Sequence, residues 1–328
     1  MALFLITKKG CDVMSKIYLV DHEIIEIFPT IEALEESTGT NYYMQQSHVN
    51  LLWADGLTGA GIKIGVVDSG VQVDHPMFVG KIVAGRNCLS VGGVVDDPDD
   101  LSTQNAHGTM VTSLIAGNYI NHKAYGIAPD ADIVIAKSIA NIGIGVPHWV
   151  VDGINYCVEQ GCDIINCSIC GKHDDSIEEA IRNAVAQGIC VVCASGNSAT
   201  DDEEPNDPGY PAALDDSISV GAIDINYGMG DFSTYNNFVD IVGPGCNIYG
   251  AYLGSGYATA SGTSFAAPMI SGTLALLKQK FIRDFGRKPT EAELFSMLIK
   301  QTRTIPGIDR QHQGHGYFDA SINKIRRI

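Results

Sequence analysis

Nowhere does this sequence reach the roughly 20 consecutive apolar positions that a helix needs to cross a bilayer. Its apolar opening runs from Met1 to Ile6 and is followed at once by Lys8-Lys9. A secretory signal carries positive charge ahead of a longer apolar run and a small-residue cleavage site behind it. Both are missing, so the expectation is a cytoplasmic protein without a membrane partner. Positive charge is also scarce. Lys and Arg number 21 against 38 Asp and Glu, a formal net charge of −17. A chain this acidic is repelled by nucleic acid and by anionic lipid, which argues against both as partners. No internal repeat is visible. The nine Cys are an odd number, and two Cys-x-x-Cys pairs stand out, Cys167/Cys170 and Cys190/Cys193. Their spacing fits a four-Cys zinc pattern. Both pairs, however, lie in runs that read as buried strands, where residues three apart point to opposite faces. The thiolates of a pair then have no common ion to share, and the cysteines read as small core residues in a reducing compartment. No metal site is expected from them.

What the sequence does have is enough length for a large buried core: 328 residues, 45% of them hydrophobic. Apolar runs at 62–67, 133–136, 163–167, 190–194 and 218–222 read as strands. Between them, segments 109–116, 149–159 and 176–187 carry apolar residues at helical spacing, the last with a capping-box start at Ser176. Alternating strands and helices predict an α/β fold, a mainly parallel twisted sheet flanked by helices on both faces. Catalytic groups then belong at the carboxyl ends of the strands. After about residue 224 the pattern changes to short strands at 238–242 and 247–252, then long helical stretches at 264–281 and 290–302. Residues 96–100 and 200–208 read as acidic, solvated loops. The first 48 residues form a separate stretch, with a strand-like run at 16–20 and a short helical one at 30–37.

Three short segments carry the chemistry: Val67-Asp68-Ser69-Gly70, Ala106-His107-Gly108-Thr109 and Ser261-Gly262-Thr263-Ser264-Phe265-Ala266-Ala267-Pro268. A Ser hydroxyl is a poor nucleophile at neutral pH. It needs a base in hydrogen-bond reach, and the base needs a carboxylate to hold its tautomer. His107 is the candidate base and Asp68 its candidate partner. Ser264 opens a helix, where backbone N–H groups face developing negative charge. Ala194-Ser195-Gly196-Asn197 ends a buried strand, and Asn197 offers a side-chain donor for an oxyanion, with the Ser264 N–H as the second.

These segments resemble the signature motifs of the subtilisin-like serine peptidases, and most of all the intracellular subtilisins. The order Asp, His, Ser matches that family and differs from the orders of chymotrypsin-like peptidases and of α/β-hydrolases. The resemblance runs from about residue 51 to 320. It implies a subtilisin-like three-layer fold, a peptidase domain over 49–328 and a serine endopeptidase acting on polypeptides through an acyl-enzyme, with no cofactor required for the chemistry. It also implies a cleft in which substrate adds as a strand between Gly143-Ile144-Gly145 and Ser168-Ile169-Cys170-Gly171. Its specificity pocket would be lined by Ser168, Ile169, Cys170, Ala194, Ser195, Gly196 and Gly209, with Gly209 leaving room for a large side chain and the acidic loop before it a possible attraction for a basic one.

Two positions depart from the family. Cys170 stands where Gly is usual, beside the substrate, and a Cys there is expected either to narrow the pocket or to make the enzyme thiol-sensitive. Met77 follows His75-Pro76 where an Asp often ligates calcium, and a thioether is a poor ligand for an ion that wants oxygen; calcium as a structural ion is left in doubt. Residues 1–48 have two readings: by the resemblance to intracellular subtilisins, an extension that lies across the active site as an autoinhibitory pro-segment, with Ile25-Glu26-Ile27-Phe28-Pro29 as the blocking element, or a structural strand or loose tail. Two other readings stay open: a selective leader-peptide maturation protease or transpeptidase on the same fold, separable by product mass spectrometry, and a non-catalytic binding module, separable by a serine-directed label.

Overall fold

The computed structural model describes residues 16–20, 22–30, 42–118, 126–199 and 205–322. In chain order the elements are β1 (Ile17–Leu19), β2 (Glu23–Phe28), α1 (Tyr42–Ser47), α2 (Asn50–Trp53), β3 (Lys63–Asp68), β4 (Ile82–Asn87), α3 (His107–Ala116), β5 (Asp132–Lys137), β6 (Ile144–Gly145), α4 (Pro147–Glu159), β7 (Ile164–Cys167), β8 (Ile169–Gly171), α5 (Asp175–Ala186), β9 (Cys190–Ala194), β10 (Ser217–Ile223), β11 (Ile241–Pro244), β12 (Ile248–Ala251), β13 (Tyr257–Ser261), α6 (Thr263–Phe285), α7 (Glu291–Ile299), β14 (Thr302–Arg303), α8 (Arg310–Gln313) and β15 (Tyr317–Phe318).

Nine strands form one sheet in the order β14-β15-β11-β10-β9-β7-β3-β5-β4. Every neighbouring pair is parallel except β14 with β15 at the edge. The strands at its centre are buried on both faces, which is why they read as unbroken apolar runs. Alternate residues feed two cores. Ile64 and Val66 of β3 and Val192 of β9 join α3 and α6 on one face. Val67 of β3 and Val191 of β9 join α4 and α5 on the other. The alternation reaches the cysteines: Cys190 lies in the first core and Cys193 in the second. Helix α5 starts two residues before the expected capping box. Asp174 is its N-cap, accepting from the Ser176 N–H. The capping box forms instead at Thr290 and Glu293, where α7 begins.

Helix α6 runs beneath the centre of the sheet, in contact with β7, β9, β10 and β11. One buried ion pair ties it down. Lys278 Nζ lies 3.1 Å from Asp163 Oδ1 and also donates to the carbonyls of Asp163 and Gly188. Burial opposes the charge on Asp163, but Lys278 and Lys288 outweigh it and hold the carboxyl below its ordinary range. Removing one member of such a pair leaves the other charge buried. Lys278→Met is expected to lower unfolding free energy by about 3 kcal/mol, read from chemical denaturation. A change under about 1 kcal/mol would show that Lys288 alone satisfies Asp163.

Two small sheets lie outside the main one. In the first, β1 sits between β6 and β8, antiparallel to both. In the second, β2 pairs with β13, which pairs with β12. Helix α1 packs into the body: Tyr43 is fully buried, its ring 5.5 Å from that of Tyr249, and Tyr42 donates its hydroxyl to Cys246 O. The helical run expected at 30–37 falls almost entirely outside the described residues. Among the described residues, no helix is long and apolar enough to cross a membrane.

Candidate active site

Three neighbouring strands deliver the groups to one edge of the sheet. Asp68 is the last residue of β3, Ser168 follows β7, and Asn197 lies three residues beyond β9. All three sit at carboxyl ends, where an open parallel sheet leaves a crevice. Two helices start at the same edge and supply the rest, His107 as the first residue of α3 and Ser264 as the second of α6.

Asp68 and His107 meet at close range. His107 Nδ1 lies 2.9 Å from Asp68 Oδ1 and 3.0 Å from Oδ2, and both residues are almost wholly buried. The Ser69 N–H also donates to Asp68 Oδ1, at 2.7 Å. Asn105 Oδ1 accepts from the His107 N–H, and Ser69 Oγ accepts from that of Gly108. The glycine is required here. A Cβ at 108 would stand 2.2 Å from Gly70 O and 2.9 Å from Asp68 Oδ1. With Nδ1 fixed as the donor, the tautomer leaves Nε2 as an acceptor. Nε2 is buried and has no hydrogen-bond partner among the described residues.

Ser264 is fully buried, and its Oγ lies 3.4 Å from Ser168 O, to which it donates. Ser168 Oγ in turn donates to Ser264 O at 2.9 Å. That carbonyl is available because residue 268 is a proline. Pro268 has no N–H with which to close the helical bond to Ser264 O. Asn197 Oδ1 accepts from both the N–H and the hydroxyl of Thr263, at 3.0 and 2.8 Å. This double contact sets the amide's orientation and leaves Nδ2 as its donor group. Thr263 was not singled out from the sequence, although its place between Gly262 and Ser264 is the signal for it. Ser168 was expected in the substrate-pairing segment and the pocket; its side chain also bonds the Ser264 carbonyl.

The expected cleft residues come together, and the chain itself lies among them. Tyr18 pairs with Ile144 on one side and Cys170 on the other; Ile17 pairs with Gly145 and Gly171; Leu19 pairs with Ile169. The Leu19 N–H donates to Gly143 O at 3.1 Å and the Val20 N–H to Ser168 O at 3.5 Å. Ile17, Leu19 and Val20 are buried, and Tyr18 faces solvent. His22 follows, its ring 4.8 Å from that of His107 and edge-on to Phe265. Burial, and then the neighbouring His107, push the His22 imidazole down to about 4.

This corrects the expected blocking element. Residues 25–29 do not lie in the cleft. Residues 24 to 28 run along β13, with Ile25 and Ile27 46% and 54% exposed. The cleft needs a strand that buries side chains on both walls, and 17–20 supplies them. Of the two opposed expectations for the pocket, narrowing by Cys170 and room beside Gly209, the geometry favours the first: the Cys170 sulfur stands beside Gly196 and Gly209. A Cβ at 209 would stand 2.7 Å from the sulfur of Cys170.

Met77 is fully buried, its sulfur 3.3 Å from the Cβ position of Gly117, while Asn118 donates its side-chain amide to Val79 O. The segment between Asn118 and Gly126, whose oxygen donors keep a weaker calcium site open, lies at 119–125 outside the described residues. Among the described residues, the one group of three potential metal ligands is His173, Asp175 and Glu178, at the surface, with His173 Nε2 2.7 Å from Glu178.

Comparison with known proteins agrees with this geometry. The model of the subtilase family matches residues 59–316. The chain is 39% identical over 269 residues to the "Major intracellular serine protease" of Bacillus subtilis (strain 168), covering 81% of this chain and 83% of that one. It is 40% identical over 273 residues to the "Intracellular serine protease" of Paenibacillus polymyxa, covering 82% of each. It is also 36% identical over 221 residues to "Thermitase" of Thermoactinomyces vulgaris, covering 67% of this chain and 75% of that one. The match to the family over most of the chain and to two intracellular serine proteases, on a chain that carries an Asp-bound His and a buried Ser at the carboxyl edge of one parallel sheet, makes this protein a member of the subtilase family and a serine-type endopeptidase.

Proposed function

We propose that Ser264 is the nucleophile of a cytoplasmic endopeptidase, with His107 as its base and Asp68 as the group that orients the base. The observation that carries this reading is the two-point contact of Asp68 with His107 Nδ1, which leaves Nε2 buried and without a hydrogen-bond partner among the described residues, at the sheet edge where the helix carrying Ser264 begins. A turn of the Ser264 side chain moves Oγ from Ser168 O to Nε2. Oγ then attacks the scissile carbonyl as Nε2 takes its proton. Asn197 Nδ2 and the Ser264 N–H hold the oxyanion. His107 returns the proton to the leaving amine, an acyl-enzyme remains, and water, activated by the same Nε2, releases the acid.

The same reading makes residues 16–20, with His22, an internal blocker that occupies the cleft as a substrate would. Its separable part ends before Tyr42, because Tyr43 and Val49 belong to the buried core. A deletion of the first 48 residues would therefore strip core packing along with the blocker. Substitutions inside β1 are the cleaner way to open the cleft. Ile17→Asp with Leu19→Asp places two unpaired carboxylates where the described structure buries aliphatic groups.

The test is labelling by a serine-directed fluorophosphonate in the full chain carrying these two changes. Stoichiometric labelling is expected, and none when Ser264→Ala is added. Retained labelling in the Ser264→Ala protein would overturn the nucleophile assignment. No labelling of either would overturn the enzymatic reading of the site.

A further inference from the structure

The chain that crosses the active site shows which of its residues sits at the acyl position. The Val20 N–H and Ser264 Oγ share one acceptor, Ser168 O, at 3.5 and 3.4 Å. Two residues later the His22 ring lies against His107. The backbone therefore passes the nucleophile just after the Val20 nitrogen. By this register Val20 corresponds to the residue whose carbonyl would be attacked and whose side chain would face the specificity pocket. Val20 is 2% exposed, in the core cluster that contains Ala194 and against which Cys170 packs.

Cys170 sets the depth of that pocket. Three backbone segments form its walls. The β8 strand and Gly209-Tyr210 are joined by the mutual hydrogen bonds of Gly171 and Tyr210, at 2.7 and 3.2 Å. The third wall is the end of β9 with Ser195 and Gly196. The Cys170 sulfur lies 2.7 Å from the Cβ position of Gly209 and 4.0 Å from that of Gly196. It spans the space between two walls that are themselves glycines. A Gly at 170 would leave that space to the substrate; the thiol fills it.

We propose that Cys170 is a specificity-determining residue that closes the inner half of the acyl-side pocket. The enzyme then selects small and β-branched aliphatic residues, Ala and Val, before the scissile bond, and rejects Phe, Tyr and Lys. The occupant the chain places there, Val20, is of the selected class. The acidic loop ahead of Gly209 then has no long basic side chain to attract, because none reaches past the sulfur. This proposal rests on Ser264 being the nucleophile.

The experiment uses the full chain with Ile17→Asp and Leu19→Asp, with active sites counted by fluorophosphonate titration. Substrates are the chain's own sequence as a series, acetyl-Ile-Tyr-Leu-Xaa p-nitroanilides with Xaa as Ala, Val, Phe or Lys. A misfit of one or two methylenes in an apolar pocket is worth roughly 10- to 200-fold. The expected result is kcat/KM for Val at least about tenfold above Phe. Adding Cys170→Gly should raise Phe at least about tenfold and change Ala by less than about threefold. Adding Cys170→Val, which keeps a side chain at the position, should shift preference further from Val toward Ala. A parent enzyme that prefers Phe, or a Cys170→Gly variant whose Phe-to-Val ratio does not move, would overturn the role of Cys170. If Cys170→Gly fails to titrate, the Cys170→Val ratio decides alone. If the parent fails to titrate, the reading of the site falls, and this inference with it.

Discussion

Replacing Asp68 with Asn, in the full chain with its cleft opened, is expected to lower kcat about ten-thousand-fold while KM changes little. That magnitude is known from another serine peptidase with the same triad chemistry. The geometry here gives the reason. Both carboxylate oxygens of Asp68 face His107 Nδ1, so the ring proton resides on Nδ1 and Nε2 is left as acceptor. An Asn retains one acceptor oxygen, but the Ser69 N–H competes for it, as it already does for Oδ1 at 2.7 Å. The amide then turns its NH2 toward Nδ1. A donor facing Nδ1 selects the other tautomer, with the proton on Nε2 aimed at Ser264. That imidazole cannot take the serine proton. The imidazolium of the transition state also loses its counter-charge in a buried site. Single-turnover acylation should show the whole loss in the chemical step. A kcat within about tenfold of the parent would mean that Asp68 does not control the tautomer of His107.

The chemistry was legible because each group sits in a local signal. Asp68 ends a continuous apolar strand, His107 precedes a glycine whose Cβ would strike Asp68, and Ser264 opens a helix beside glycine and proline. The order of the three then separates one architecture from its rivals. The central strands were legible for the same local reason, since a strand buried on both faces needs no partner to be recognised. Their cysteines followed from the alternation of β residues alone.

What was missed depends on partners far along the chain. β1 has three residues, and its partners lie more than a hundred positions away, at Ile144–Gly145 and Ile169–Gly171. Nothing in its own composition separates it from the neighbouring run 25–29, which is equally apolar. The choice is made by which run can bury side chains on both walls of the cleft. The pocket was legible only as two opposed readings, Gly209 as room for a large side chain and Cys170 as a narrowing. Sequence spacing cannot weigh them; the fold does, by placing the Cys170 sulfur beside Gly209. The helix start at Asp174 illustrates local competition. Both Asp174 and Ser176 are good caps, and the Asp, two residues earlier, accepts the Ser176 N–H.

Opening the cleft is the second large effect expected. A segment tethered this closely has an effective concentration of about 1 mM. If it binds as a substrate with a dissociation constant of about 1 μM, about one molecule in a thousand is open. Ile17→Asp with Leu19→Asp should therefore raise kcat/KM, read with a peptide kept well below KM, about a thousand-fold. A rise below about threefold would mean that β1 does not block the site. Acid should act on the same equilibrium through His22. The His22 ring faces the His107 and Phe265 rings, with Asp68 behind His107 and the Val20 carbonyl at its own Nδ1. Docked, it titrates at about 4; released, it returns to about 6.5. The docked state holds the imidazole neutral, so docking is at full strength above about pH 6.5, weakens as pH falls toward 4, and loses no more below that. Between pH 7.5 and 5.5 the released fraction should grow about tenfold. Hydrogen exchange at the Leu19 and Val20 amides reads this directly, since both are bonded to cleft carbonyls only when docked. Ser264→Ala keeps the chain intact during the measurement, so the titration of His107 in catalysis does not enter. His22→Phe should remove the pH dependence that remains after correction for intrinsic exchange. Persistence of that dependence in His22→Phe would assign the acid response to His107 or Asp68 instead.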